Sequence, residues 1–159
     1  SANQAILRVA VVIGGGNTSP LSAQSFSLTT SGSTNPADIA AARVYYTGTS
    51  GTLSTTTQFG STVSSPSGSF TITGSQQLST GTNYFFLVYD VAATATGGNL
   101  LDATVPSLTI RGTAYTPGVT SPASANTVNC TRSAGASPTA SSASWSTVPA
   151  STIAARRTG

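Results

Sequence analysis

The chain has 159 residues but no Lys, Glu, His or Met, and only one Cys and one Trp. Each absence removes a class of chemistry. Without His there is no Ser-His-Asp triad and no Cys-His nucleophile, and zinc sites built on His and Cys are excluded. Cys130 stands alone, so no intrachain disulfide can form. Charged residues make up 6% of the chain, against about 25% in an average soluble domain. Arg8, Arg43 and Arg111 balance Asp38, Asp90 and Asp102, so the formal charge of +3 rests on Arg132, Arg156 and Arg157. Three scattered arginines do not make the clustered basic face of a nucleic-acid-binding protein. No apolar run approaches the ~18 residues of a membrane span, which argues against membrane insertion. The chain also lacks an initiator Met and a signal-peptide pattern, and reads as a processed chain or an excerpt from a longer one.

What is present is small and hydroxylated. Ser and Thr number 54, and Ser, Thr, Ala and Gly together 92, more than half the chain. The large apolar side chains are concentrated in residues 1–111, and there their dominant period is two. Ile6 to Ile13 places Leu7, Val9, Val11 and Ile13 on one face. Gln24 to Thr29 alternates around Phe26 and Leu28, and Ser69 to Thr73 around Phe70 and Ile72. Arg43 to Thr47, Gln58 to Val63 and Ser107 to Arg111 are shorter runs of the same kind. Asn83 to Asp90 is apolar on both faces, as a central strand would be. These runs predict an all-β fold, an antiparallel Ig-like or jelly-roll-type β-sandwich of about seven strands over residues 1–111. Asn35 to Ala42 adds one short helical turn, with Asn35 as N-cap, Pro36 at the first helical position and Asp38 favouring the helix N-terminus. Residues 112–159 read as an irregular Ser/Thr/Ala/Pro-rich tail or linker.

Several blocks of the first 111 residues resemble a known family. They are Ala5-Ile6-Leu7-Arg8-Val9, Thr34-Asn35-Pro36-Ala37-Asp38-Ile39, Val44-Tyr45-Tyr46-Thr47-Gly48-Thr49, Gln58-Phe59-Gly60 and Gly81 through Asp90, followed by Asn99 to Ala103 and Leu108-Thr109-Ile110. In this order they are similar to the β-sandwich domain at the N-terminal side of BNR-repeat neuraminidases, which also occurs in large secreted proteins of Bacteroidetes-type bacteria. The resemblance implies a sandwich fold and a secreted or cell-surface, extracellular location. It carries no catalytic residues, because catalysis in those neuraminidases belongs to a propeller domain marked by Ser-x-Asp-x-Gly-x-x-Trp boxes, which this sequence lacks.

Few residues remain for chemistry. Glycoside hydrolysis ordinarily needs two carboxylates across the scissile bond, and Asp38, Asp90 and Asp102 are the only candidates. The bland reading of each is a cap or turn residue, so no catalytic residue is assigned. Asp90, Asn99 and Asp102 bracket one loop and are the oxygen ligands a calcium ion would use, but two carboxylates make a weak set. The expectation is no cofactor and no metal. Outward-facing members of Tyr45, Tyr84 and Tyr89 would form a glycan platform, although aromatic cross-strand pairs stabilise sheets without any ligand.

The missing charges suggest a different use. Native sheets protect their edges with Lys, Pro or other charges, whereas no strand here contains Lys or Glu. A near-neutral sandwich offers little electrostatic resistance to association. The expectation is a non-catalytic structural or adhesive module, a self-assembling fibre subunit whose partners are other copies of itself or neighbouring domains. Edge strand and tail would make the contacts through Ile6, Val12, Trp145, Val148 and Ile153. The second reading is a glycan-binding accessory domain of a secreted, sialidase-like glycoside hydrolase.

Overall fold

Alternating and doubly apolar runs need a pleated, hydrogen-bonded partner on each side, and the chain supplies them by closing two sheets over one core. The computed structural model describes residues 1–14, 20–121, 126–127 and 150–156. In chain order its strands are β1 (Gln4–Gly14), β2 (Leu21–Thr29), β3 (Ile39–Tyr46), β4 (Gln58–Ser64), β5 (Ser69–Leu78) and β6 (Gly81–Val91). They continue with β7 (Leu100–Leu101), β8 (Thr104–Ile110), β9 (Thr113–Tyr115), β10 (Asn126–Thr127) and β11 (Ala150–Arg156). One sheet has the order β11-β1-β6-β3-β4 and the other β5-β2-β8-β9, with β10 paired to β7 separately. The β1–β11 pair is parallel, and the other described pairs are antiparallel. The result is a β-sandwich.

The centre of the core is aromatic. Phe26 of β2, Phe59 of β4 and Phe85 of β6 meet across the two sheets with ring centroids 5.0–5.7 Å apart, and Tyr46 packs on Phe85 at 4.9 Å. Edge-to-face and tilted pairs of this kind add about 0.5–1.5 kcal/mol each beyond the area they bury. The side-chain amide of Asn83 is fully buried and has a partner for each polar atom. Its Oδ1 accepts from the Tyr46 hydroxyl at 2.8 Å and the Ser79 amide at 3.0 Å, while Nδ2 donates to the Ser79 carbonyl at 2.8 Å. This amide fixes the turn between β5 and β6 and ties it to β3, which satisfies the rule that buried polar groups are hydrogen-bonded.

The sheet containing β6 carries apolar side chains on both faces. Phe85, Leu87, Tyr89 and Val91 enter the main core, while Phe86 and Val88 form a second buried cluster with Tyr45. β6 lies between β1 and β3, the central position its doubly apolar sequence predicts.

Three details depart from the sequence reading. The helical turn is confined to a 3-10 turn at Pro36–Asp38, capped by Asn35, whose Oδ1 accepts from the Ala37 amide at 3.1 Å. Ile39 to Ala42 instead begin β3, because their ladder to β6 and the burial of Ile39 and Ala42 outweigh local helix propensity. Ile6, expected at an assembly contact, is fully buried in the core beside Leu7. The register shift between Ala5 and Leu7 in the β1–β6 ladder explains this, since a bulge lets two successive residues serve one face. Finally, the stretch read as an irregular tail contributes β9, β10 and β11. Their Ala, Ser, Thr and Asn residues give no apolar alternation, while main-chain pairing requires none.

Candidate functional site

The carboxylates are where chemistry would have to start, and each belongs to a separate bonding network. Asp38 is buried; its Oδ2 accepts from Asn99 Nδ2 at 2.7 Å and its Oδ1 from the Thr96 amide at 3.3 Å. Rather than favouring a helix start, it latches the loop between β6 and β7. Asp90 takes the Arg43 guanidinium at 2.7 Å and the Asn3 amide at 2.8 Å. Burial alone would raise its pKa, but these bonds and the nearby positive charges outweigh it and hold Asp90 below the usual carboxylate range. Asp102 goes the other way: burial raises its pKa, only partly offset by the Ala103 amide donating to Oδ1 at 2.7 Å. The backbone of Asp102 is clasped by Ser33, whose Oγ donates to the carbonyl and accepts from the amide, both at 2.9 Å. Asp90, Asn99 and Asp102, the oxygen set considered for calcium, are thus bonded to Arg43, Asp38 and Ala103 respectively. Among the described residues no group of three or more His, Cys, Asp or Glu is placed to hold a metal.

The three tyrosines do not share one surface. Tyr89 faces the core, fully buried, with its hydroxyl donating to the Asp102 carbonyl at 3.3 Å. Burial, reinforced by the charge of Asp102, raises its pKa strongly. Its position in β6 explains the difference: counting by two from Phe85 puts Tyr89 on the core face. Tyr45 and Tyr84 are on the opposite face, where Tyr45 is 6% exposed and packs with Phe86 and Val88. Leu53 and half-buried Tyr84 close over that cluster. Main-chain bonds from Thr47 and to Gly48 join the loop after β3 to Tyr84. The Arg8 guanidinium lies 5.5 Å from the Tyr84 ring centroid and donates to the Gly51 carbonyl at 3.3 Å. Tyr84 and Arg8 are half-buried and keep part of this face open to solvent, as do Arg43 and Asp90.

The second candidate surface is the edge of β1. Seven of its residues pair with β11, from Arg8↔Ala150 through Val11↔Ile153 and Val12↔Ala154 to Gly14↔Arg156. On its other side β1 is paired with β6 along nearly its whole length. Val12 is half-buried and Ile153 lies in β11, so two expected assembly positions meet at this edge. Trp145 and Val148 lie outside the described residues. The main chain at this edge can do one thing well, which is to accept an added strand by its row of N–H and C=O groups. No side-chain motif announces it. The signal in the sequence is β1 itself: eleven residues with Arg8 as the only charge and no Pro.

A groove of about 410 Å³ between the 3-10 turn and the β4–β5 turn is lined by Asn35, Pro36, Ala37, Ser65, Pro66 and Ser67. None of these side chains titrates, so the groove has no acid or base of its own.

Residues 1–114 match the family described as the N-terminal domain of BNR-repeat neuraminidase. Among solved structures, the Hadza microbial sialidase Hz136 is similar, with a TM-score of 0.53 at 14% identity over 71% of this chain. The match spans 28% of that sialidase chain, and at this identity it is a likeness of fold. No curated protein sequence matches significantly.

Proposed function

The chain belongs to the family of N-terminal domains of BNR-repeat neuraminidases, a domain distinct from the catalytic one, and from that premise we propose that it is a non-catalytic structural or adhesive module of a secreted or cell-surface protein. It associates with copies of itself or with neighbouring domains through the edge of β1. The observation that carries this reading is the pairing of β11 with β1, a strand from beyond the family's extent added to the side of an otherwise complete sandwich. Support comes from the three carboxylates, each committed to its own structural bonds. The neutral balance of charge in residues 1–111 adds to it, because little repulsion opposes close approach. No helix among the described residues is long and apolar enough to cross a membrane.

Sedimentation velocity of the full chain, from dilute to concentrated solution, tests the reading. Species larger than one chain are expected to grow with concentration, and the Ile153→Pro variant, whose β11 lacks a main-chain donor, is expected to form fewer of them. A single monomeric species at all concentrations would overturn self-association. The second reading, a carbohydrate contact at half-exposed Tyr84 and the Arg8 guanidinium above it, would then lead, because an aromatic ring beside a cation suits an acidic sugar.

A further inference from the structure

We propose that the strand 150–156 is exchangeable, and that in an assembly of copies it docks on β1 of a second copy in the parallel register it shows on its own β1. The inference deepens the self-association reading and rests on it. Three observations lead to it. First, β11 is an addition: the family match ends at residue 114, and both sheets have their four antiparallel strands without it. Second, the edge it covers is lightly protected, with Arg8 its one charge and its bulge lying before the stretch that pairs with β11. β1 contains no Lys, Glu or Pro, and its flanking ladder to β6 is unbroken from Leu7 to Ile13, a regular template beyond the bulge at Ile6. Third, the contact fits its occupant without regard to which chain supplies it. Seven consecutive Cα partners, Arg8↔Ala150 to Gly14↔Arg156, define a main-chain register, and main-chain bonds recognise an extended segment, not a covalent connection.

Whether the strand comes from the same chain or another is then a matter of concentration. A strand carried on the same chain meets its own β1 at an effective concentration on the order of millimolar. The intrachain arrangement is therefore favoured in dilute solution, and exchange becomes competitive once copies are crowded to about 1 mM, as on a surface or within an array. Exchange of one element between identical folds costs little, since every contact broken is remade in the partner. A donor strand passed from each copy to the next is a head-to-tail contact, which builds an open chain unless the rotation closes it.

Cysteine cross-linking in the full chain tests this. Two variants are prepared with Cys130 replaced by Ser, one also carrying Val12→Cys and the other Ala154→Cys. Neighbouring strands bring paired Cα atoms to about 4.8 Å, within the roughly 4.4–6.8 Å a disulfide spans. Mixed, co-refolded at about 1 mM and mildly oxidised, the two are expected to give a heterodimeric disulfide at least tenfold more abundant than at about 1 µM. A mixture of Val12→Cys with Ser151→Cys, displaced by roughly 10 Å along the strand, is expected to give little. The double variant Val12→Cys/Ala154→Cys, expected to close within one chain when dilute, reports that the fold tolerates both thiols. Absence of the heterodimer, or equal yields from the displaced pair, would overturn strand exchange. The same samples examined by sedimentation separate the two failures: association without register-specific cross-linking overturns this inference alone, and absence of association overturns the functional reading as well.

Discussion

Single residues in this protein do more by hydrogen bonding than by charge. Asp90 and Asp102 show how opposite the consequences of burial can be. Asp90, held low by Arg43 and the Asn3 amide, is more acidic folded than unfolded. Its contribution is therefore present above the unfolded value near pH 4 and is lost as pH falls through the folded value. Asp102 is raised by burial, so its ionised form weighs against folding above the folded value, and protonation relieves it. Urea unfolding between about pH 6 and pH 2.5 is expected to show the acid-side fall in stability becoming shallower in Asp90→Asn. In Asp102→Asn that fall is expected to become steeper, because a compensating gain is gone. Equal acid profiles for the two variants would contradict these assignments. Asp38 belongs at this scale too. Its sequence context, just after Asn-Pro, resembles a helix start, and its actual service to Thr96 and Asn99 involves residues some sixty positions away, which no local pattern encodes.

At the scale of elements, strands were legible in proportion to how much apolar side chain they bury. β1, β2 and β6 show in the sequence because Leu7, Val9, Phe26, Phe85 and Leu87 must reach a common core. β9, β10 and β11 do not, because Thr113-Ala114-Tyr115, Asn126-Thr127 and Ala150 to Arg156 have mixed small residues whose pairing is written in the main chain. The aromatic platform was half legible for the same reason. Alternation assigns Tyr45 and Tyr84 to the outer face, but the loop from Thr47 that covers them is set by main-chain bonds to Tyr84. Contact between β4 and β5 depends on Gly60 and Gly74, whose backbones approach closely. Gly60 has φ +67°, and a Cβ there would run into the Thr73 carbonyl oxygen and the Ile72 side chain. Gly48 has nearly the same φ, +63°, and open space around it. Gly48→Ala is thus expected to cost about 1 kcal/mol for the backbone alone, and Gly60→Ala about 3 kcal/mol because the two sheets must also shift. Equal denaturation midpoints for the two would show that the β4–β5 approach is looser than described.

For the molecule as a whole, the lack of charge and the added strand point the same way. A sandwich with balanced Arg and Asp over residues 1–111 has no net charge there to repel a second copy, and from Arg8 to Gly14 its first strand is an edge on which a short segment of its own chain fits. Fold class and the central place of β6 follow from composition and periodicity. The use of the β1 edge follows only from the register. That use is tested most directly by hydrogen exchange at the main-chain amides of residues 8–14, in the full chain and in Ile153→Pro. Adjacent residues of a strand direct their amides to opposite sides, so one alternate set bonds β6 and the other faces β11. In Ile153→Pro the set facing β11 is expected to exchange at least tenfold faster, while the set bonded to β6 keeps its protection. Unchanged exchange at both sets would contradict the docking of strand 150–156 on β1, and with it the route by which one copy would hold the next.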